Sequence, residues 1–221
     1  MLINIIKCII FIIYIYSCQP DDIININNDI NQAVIHYNNA IQLQTELSDN
    51  NNNKQDIITL YLQSIQLYPT FCQAHQNLAC IYESVGDITY AIYYHNMSIL
   101  YADTDIFKIG AIANLINIYL NTNMIQYEPY KNNSYYNILE LESLMSTYNI
   151  YPPNAGFTLG NYYNYNGEYD KALVIFMTLY KENKYNINAI MNIGNYYFRK
   201  NDYIPTIYYY NLALDAINLA E

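Results

Sequence analysis

The chain has 221 residues, 53% hydrophobic and 13% charged, a balance that supports a buried core and excludes a disordered tail. Its formal net charge is −10 and its nine Lys and Arg are scattered, which leaves no basic footprint for nucleic acid or an anionic lipid surface. Only six Gly and six Pro occur, and the single Asn-Gly pair, at 166–167, lacks flanking alternating apolar runs, so the pattern reads as helix rather than sheet.

At the N-terminus, Lys7 precedes an apolar run that ends near Ser17, and residues 1–18 read as a signal peptide or a short signal anchor. The run is shorter than the ~20 residues of a spanning helix. Secretion or an endoplasmic reticulum lumenal location is therefore expected. Membrane contact is expected only if the segment stays uncleaved, and a cytoplasmic location only if it is not a true signal. Two acceptor sequons, at Asn96 and Asn132, accord with a secretory route. Residues 19–31 read as a polar linker. Residues 32–71 read as an irregular helix pair, 33–43 and 56–69, around an Asn-rich loop at 49–53. Whether 33–43 is the first or second member of a repeat stays open.

Beyond this point the chain repeats itself with a period of 34. Residues 153–186 and 187–220 align without a gap, setting Leu159 on Ile193, Gly160 on Gly194, Tyr163 on Tyr197, Tyr169 on Tyr203 and Phe176 on Tyr210. Residues 72–105 give a third copy, with Leu78, Ala79, Tyr82, Gly86 and Ala91 at matching places. Residues 106–152 are an irregular copy. Their first helix carries Asn114, Leu115, Ile116 and Tyr119 in register, and the partner helix comes late, after 127–133. Each helix has apolar residues at three- and four-residue spacing, and one pair alone cannot bury its stripe, so neighbouring pairs must stack. Gly160, Gly194, Ala91 and Ala172 allow close helix approach, and Gly86 and Gly167 suit the turns between helices. Asp87, Asp105 and Asp202 stand where they can cap helices, and Pro205 stands in a first turn, where its missing donor costs little.

These residues resemble the tetratricopeptide-repeat (TPR) family, whose pattern sets a Leu before a small residue, a Tyr three later and a Gly at the turn. The resemblance implies an all-α fold, an α-solenoid of stacked helix-turn-helix repeats over 32–221, and a scaffold that binds proteins or extended peptides along a concave groove. In such arrays the residue before the Leu points into the groove. Here that row is Asn77, Asn114, Thr158 and Asn192, and a second row one turn later holds Cys80, Asn117, Asn161 and Asn195. The segment 75–82 is similar to repeats of the O-linked N-acetylglucosamine transferase superhelix, where an Asn ladder holds substrate peptides. That likeness implies a second reading, a detached TPR arm of such a glycosyltransferase system. Chaperone-binding TPR domains use Lys and Arg in the groove. The matching positions here, Gln73, Gln76, Asn77, Asn154, Asn188 and Asn192, carry no positive charge, which disfavours that role.

No catalytic apparatus, cofactor motif or metal site is read from the sequence. His36, His75 and His95 fall on separate helices and read as polar groups on helix faces. Cys72 one turn from His75 gives two ligands, too few for zinc. Cys72 and Cys80 lie too far apart along one helix to bridge. Glu140 and Glu142 lie two apart on a helix, facing different directions, and read as solvated.

Overall fold

The structure, a computed structural model, describes residues 20–46, 53–149 and 151–219. The signal-peptide reading of 1–18 falls outside the described residues. Ten α-helices and one 3₁₀ turn are found among them, with no strand: α1 (Pro20–Glu46), α2 (Lys54–Leu67), α3 (Cys72–Ser84), α4 (Ile88–Tyr101), α5 (Asp105–Asn121), the 3₁₀ turn (Met124–Gln126), α6 (Tyr130–Tyr148), α7 (Pro153–Tyr165), α8 (Tyr169–Glu182), α9 (Ile187–Arg199) and α10 (Tyr203–Asn218). No helix among the described residues is long and apolar enough to cross a membrane. The chain divides into two compact units, up to Tyr94 and from His95 onward.

The polar linker expected at 19–31 is helical instead, because α1 begins at Pro20. Ile26, Ile30, Ala33, Tyr37 and Ala40 recur at helical spacing, and the intervening Asn and Asp mask that stripe in a composition-based reading. The start positions of α2 and α4 differ by 34 residues, as do those of α8 and α10, so α2 is a second helix and α1 its first. In the first unit α1 and α2 close around Tyr61, Ile57, Ala40, Leu78 and Ala74. The buried Ser64 hydroxyl adds a bond across the pair, donating to the Ala33 carbonyl at 2.8 Å.

In the second unit α5 is buried on most of its circumference, through Ile109, Ile112, Leu115, Ile116 and Tyr119. The pair α7 and α8 shows why glycine recurs in the first helix. A Cβ on Gly160 would lie 2.6 Å from the ring of Phe176, and one on Gly156 would lie 2.8 Å from Leu179. In α9 and α10 the same relation joins Gly194 to Tyr210, again at 2.6 Å. The knob stands 16 residues after the small residue in both cases, and the 34-residue register puts Tyr61 and His95 at the same place in their own repeats.

His95 is thus a ring at a core position. It is 0% exposed, and neither ring nitrogen finds a hydrogen-bond partner among the described residues. Burial pushes its pKa down from 6.5 to about 4. His75 is also buried, with Nε2 2.8 Å from the Pro69 carbonyl, and burial lowers its pKa as well. The reading of both as polar groups on helix faces is corrected, since both are buried, His75 stacked on Tyr94.

The first helices α3, α5, α7 and α9 end in a common way. Val85, Thr122, Asn166 and Lys200 are C-caps, and the next residue has positive φ: Gly86 at 83°, Asn123 at 59°, Gly167 at 78° and Asn201 at 58°. In three of these the following amide reaches back to close a Schellman motif, Asp87 to Tyr82, Glu168 to Tyr163 and Asp202 to Tyr197, at 2.8–3.0 Å. The second helix then starts after three residues, 85–87, 166–168 or 200–202, whereas 122–129 intervene in the irregular repeat. Its second helix starts at Tyr130, within the segment expected to precede it.

Of the three aspartates expected as caps, Asp87 accepts from the Tyr90 amide at 3.3 Å. Thr104, rather than Asp105, caps α5, and Asp105 instead accepts from the Tyr148 hydroxyl. Asp202 holds the N-cap position of α10 with no side-chain cap bond. The glutamates are not free in solvent either. Glu140 pairs with Lys108, and Glu142 accepts from the Tyr163 hydroxyl while burial raises its pKa.

Two measurements check this packing. Gly160→Ala gains helix propensity of about 1 kcal/mol yet should lower stability by about 1–3 kcal/mol net, because the Phe176 ring is enclosed. Gly194→Ala should cost less, since Tyr210 is only half-buried and can swing outward. Urea titrations of the two variants give the ranking. The second concerns pH. His95 binds its proton more weakly when folded, so its contribution is complete above pH 6.5 and is lost as pH falls towards 4, about 3 kcal/mol in all. His75 adds a loss of the same sign. Stability measured from pH 7 to 4 should decline less steeply in His95→Phe, which keeps an aromatic ring at the position.

Candidate functional site

Three first helices of the second unit, α5, α7 and α9, line one open groove of about 430 Å³. Asn114 and Asn117 come from α5, Asn154, Phe157 and Asn161 from α7, and Asn188 and Asn192 from α9. Their spacings of three, four and seven residues keep each set on one helix face. Beneath them Leu115, Leu159 and Ile193 are buried, so core packing fixes the direction of the asparagine rows.

Six side-chain amides therefore converge on a surface that carries no charged side chain. Each offers two N–H donors and a carbonyl acceptor. Asn114, Asn117, Asn154, Asn161 and Asn188 make no side-chain hydrogen bond among the described residues. Asn192 is partly engaged: its Nδ2 donates to the Asn188 carbonyl at 2.9 Å, and its Oδ1 lies 3.5 Å from Asn164 Nδ2. The one apolar wall is Phe157, whose ring centroid is 6.0 Å from that of Phe176. This lining supplies hydrogen bonds and one aromatic face. It holds no nucleophile, acid or base.

Asn114, Asn161 and Asn192 from the sequence-derived rows come together here, with Asn117. Thr158 does not join them. It is fully buried, and its hydroxyl donates back to the Asn154 carbonyl at 3.0 Å, the bond a helical Thr makes to the preceding turn. Asn195 is exposed and accepts from the Tyr210 hydroxyl at 2.7 Å, so it serves its own helix pair. Asn77 belongs to the first unit, where its Nδ2 lies 3.3 Å from both the Tyr37 and Tyr61 hydroxyl oxygens. Cys80 is exposed on the same helix. Asn154, Asn188 and Phe157 line the groove without belonging to either sequence-derived row. The 34-residue offset between Asn154 and Asn188, one turn before Thr158 and Asn192, is the signal that marks them. Among the described residues no group of three or more His, Cys, Asp or Glu could hold a metal ion.

The family model for the tetratricopeptide repeat matches residues 60–93, from the middle of α2 through α3 into α4. Antiparallel helix pairs, three of them with the same three-residue turn and two with a first-helix glycine under a second-helix aromatic ring, decide the rest. The fold is the tetratricopeptide-repeat fold. Solved structures similar to this chain include MamA, at 19% identity and a TM-score of 0.60 over 84% of this chain and 91% of that one. The PilF protein of Pseudomonas aeruginosa is similar at 12% identity and TM-score 0.68, covering 86% and 78%. YrrB, described as a TPR protein with an unusual peptide-binding site, gives 15% and 0.59, covering 83% and 86%. A search of curated proteins by sequence gives no match.

The place of Asn77 can be tested directly. Asn77→Ala removes the donor shared by Tyr37 and Tyr61 and should destabilise the first unit by about 1 kcal/mol, read as an earlier unfolding transition. Tyr61, whose pKa burial pushes up to about 12, keeps its hydroxyl bond to Gln44 and so limits the loss.

Proposed function

We propose that the chain is a non-catalytic TPR scaffold that binds an extended polypeptide along the asparagine groove of α5, α7 and α9. The observation that carries this reading is the convergence of six neutral amides from three successive first helices on one groove of about 430 Å³. An extended peptide presents alternating N–H and C=O groups, and a side-chain amide can serve either. Such a row holds a backbone with little demand on the ligand's side chains. The uncharged lining also sets the groove apart from a carboxylate clamp, so affinity should depend weakly on salt. YrrB shows that the same fold accommodates a peptide site in another protein, and the helix register supports an equivalent use here.

Peptides selected against the full chain from a random library provide the test. Replacing Asn114, Asn161 and Asn192 together with Ala should weaken a selected peptide by about 2–4 kcal/mol, at roughly 0.5–1.5 per hydrogen bond lost. Methylating the peptide's backbone nitrogens should weaken binding more than truncating its side chains. The melting curve should change little, since these amides are solvent-facing. Unchanged affinity in the triple variant would refute the groove as the binding site.

A further inference from the structure

The irregular repeat contains a second cavity, of about 410 Å³, where the inserted 3₁₀ turn meets the start of α6 and the end of α7. Its polar wall is Gln126, Lys131 and Asn132, and its aromatic wall is Tyr135, Tyr162 and Tyr165. No carboxylate lines it. The insertion is anchored rather than loose, because Ile125 at its centre is buried and Asn123 keeps the left-handed conformation that ends α3, α7 and α9.

The next corner of the fold, between α8 and α9, shows how the same positions are satisfied elsewhere. There Asp170, second residue of α8, accepts from the Tyr196 hydroxyl at 2.7 Å and lies 3.6 Å from Lys200, while Arg199 stands over the Tyr169 ring. In the irregular repeat the second residue of the equivalent helix is Lys131, and the places of Tyr196, Arg199 and Lys200 are taken by Tyr162, Tyr165 and Asn166. The anion of the closed corner has become a cation. Lys131 makes no ion pair among the described residues, in a chain whose net charge is −10.

We infer that this corner is a separate binding site for a carboxylate joined to an apolar group. The carboxylate pairs with Lys131 and takes hydrogen bonds from the Gln126 and Asn132 amides, and the apolar part lies on Tyr135 and Tyr165, which are 53% and 45% exposed. An acidic residue of a peptide and a small organic acid share this chemistry. The site stands apart from the asparagine groove: the two linings have no residue in common.

The ¹⁵N-labelled full chain, titrated by NMR, tests the inference with two matched pairs of probes: acetyl-Glu-Leu-amide against acetyl-Gln-Leu-amide, and 4-methylpentanoate against its amide. In at least one pair the acid should bind about tenfold tighter, with shifts centred on the amides of Asn132, Tyr135 and Asn166, and added salt should narrow the gap. Which pair shows the preference identifies the source, peptide or small acid. Lys131→Gln should abolish the preference, and Tyr165→Ala should weaken acid and amide alike. Both residues are exposed, so both variants should fold. Equal binding of acid and amide in both pairs, shifts centred on the asparagine groove, or a preference that survives in Lys131→Gln would overturn the inference.

Discussion

The last two repeats rest on one contact, an aromatic side chain of a second helix seated on a residue without a side chain in the first. Phe176 on Gly160 and Tyr210 on Gly194 set the distance between paired helices, and no larger first-helix residue permits that spacing without moving the ring. The contact also fixes rotation. With Gly160 turned to the partner helix and Leu159 inward, the faces that carry Asn154 and Asn161 have no choice but to look out over the groove. The polar site is therefore positioned by apolar packing, and among the described residues no hydrogen bond holds most of its amides in place.

The legibility of the sequence has its origin in that contact. Leu, Gly and Tyr positions repeat because packing tolerates few substitutes, and so the period, the helix pairs and the direction of the rows can be read without coordinates. Side-chain destinations that depend on local competition cannot. Thr158 stands in register with Asn192, yet its short hydroxyl reaches the carbonyl one turn back and leaves the groove. Asn77 looks like the other ladder members until Tyr37 and Tyr61 are brought against it by α1 and α2, across a loop whose length hides the pairing. The helical start of α1 is obscured because Asn and Asp dominate the composition between its apolar positions. The corner cavity is illegible because it depends on how 122–129 fold, a connection five residues longer than its counterparts in the other repeats.

The two candidate sites obey opposite logics. The groove is built from the repeat itself, so its chemistry is periodic, neutral and suited to a periodic ligand such as a peptide backbone. The corner breaks the repeat, concentrates aromatic surface around a single cation and suits a discrete charged group. The two proposals together assign a site of low side-chain selectivity and one of higher selectivity to the same fold, so that binding energy would come from the first and discrimination from the second.

The left-handed residue after α3, α5, α7 and α9 also insulates each of these helices from the connection beyond it. Asn123 takes the left-handed conformation that Gly86 and Gly167 take, and the Thr122 and Asn123 amides bond back to the Ile118 and Leu120 carbonyls, so α5 has ended before the inserted residues begin. Extra length placed after this stop leaves the helix register behind it undisturbed, as the difference between three and eight connecting residues already demonstrates within this one chain. The corners after Gly86, Gly167 and Asn201 are accordingly natural graft points, where new recognition loops can be installed without retuning the array that carries them.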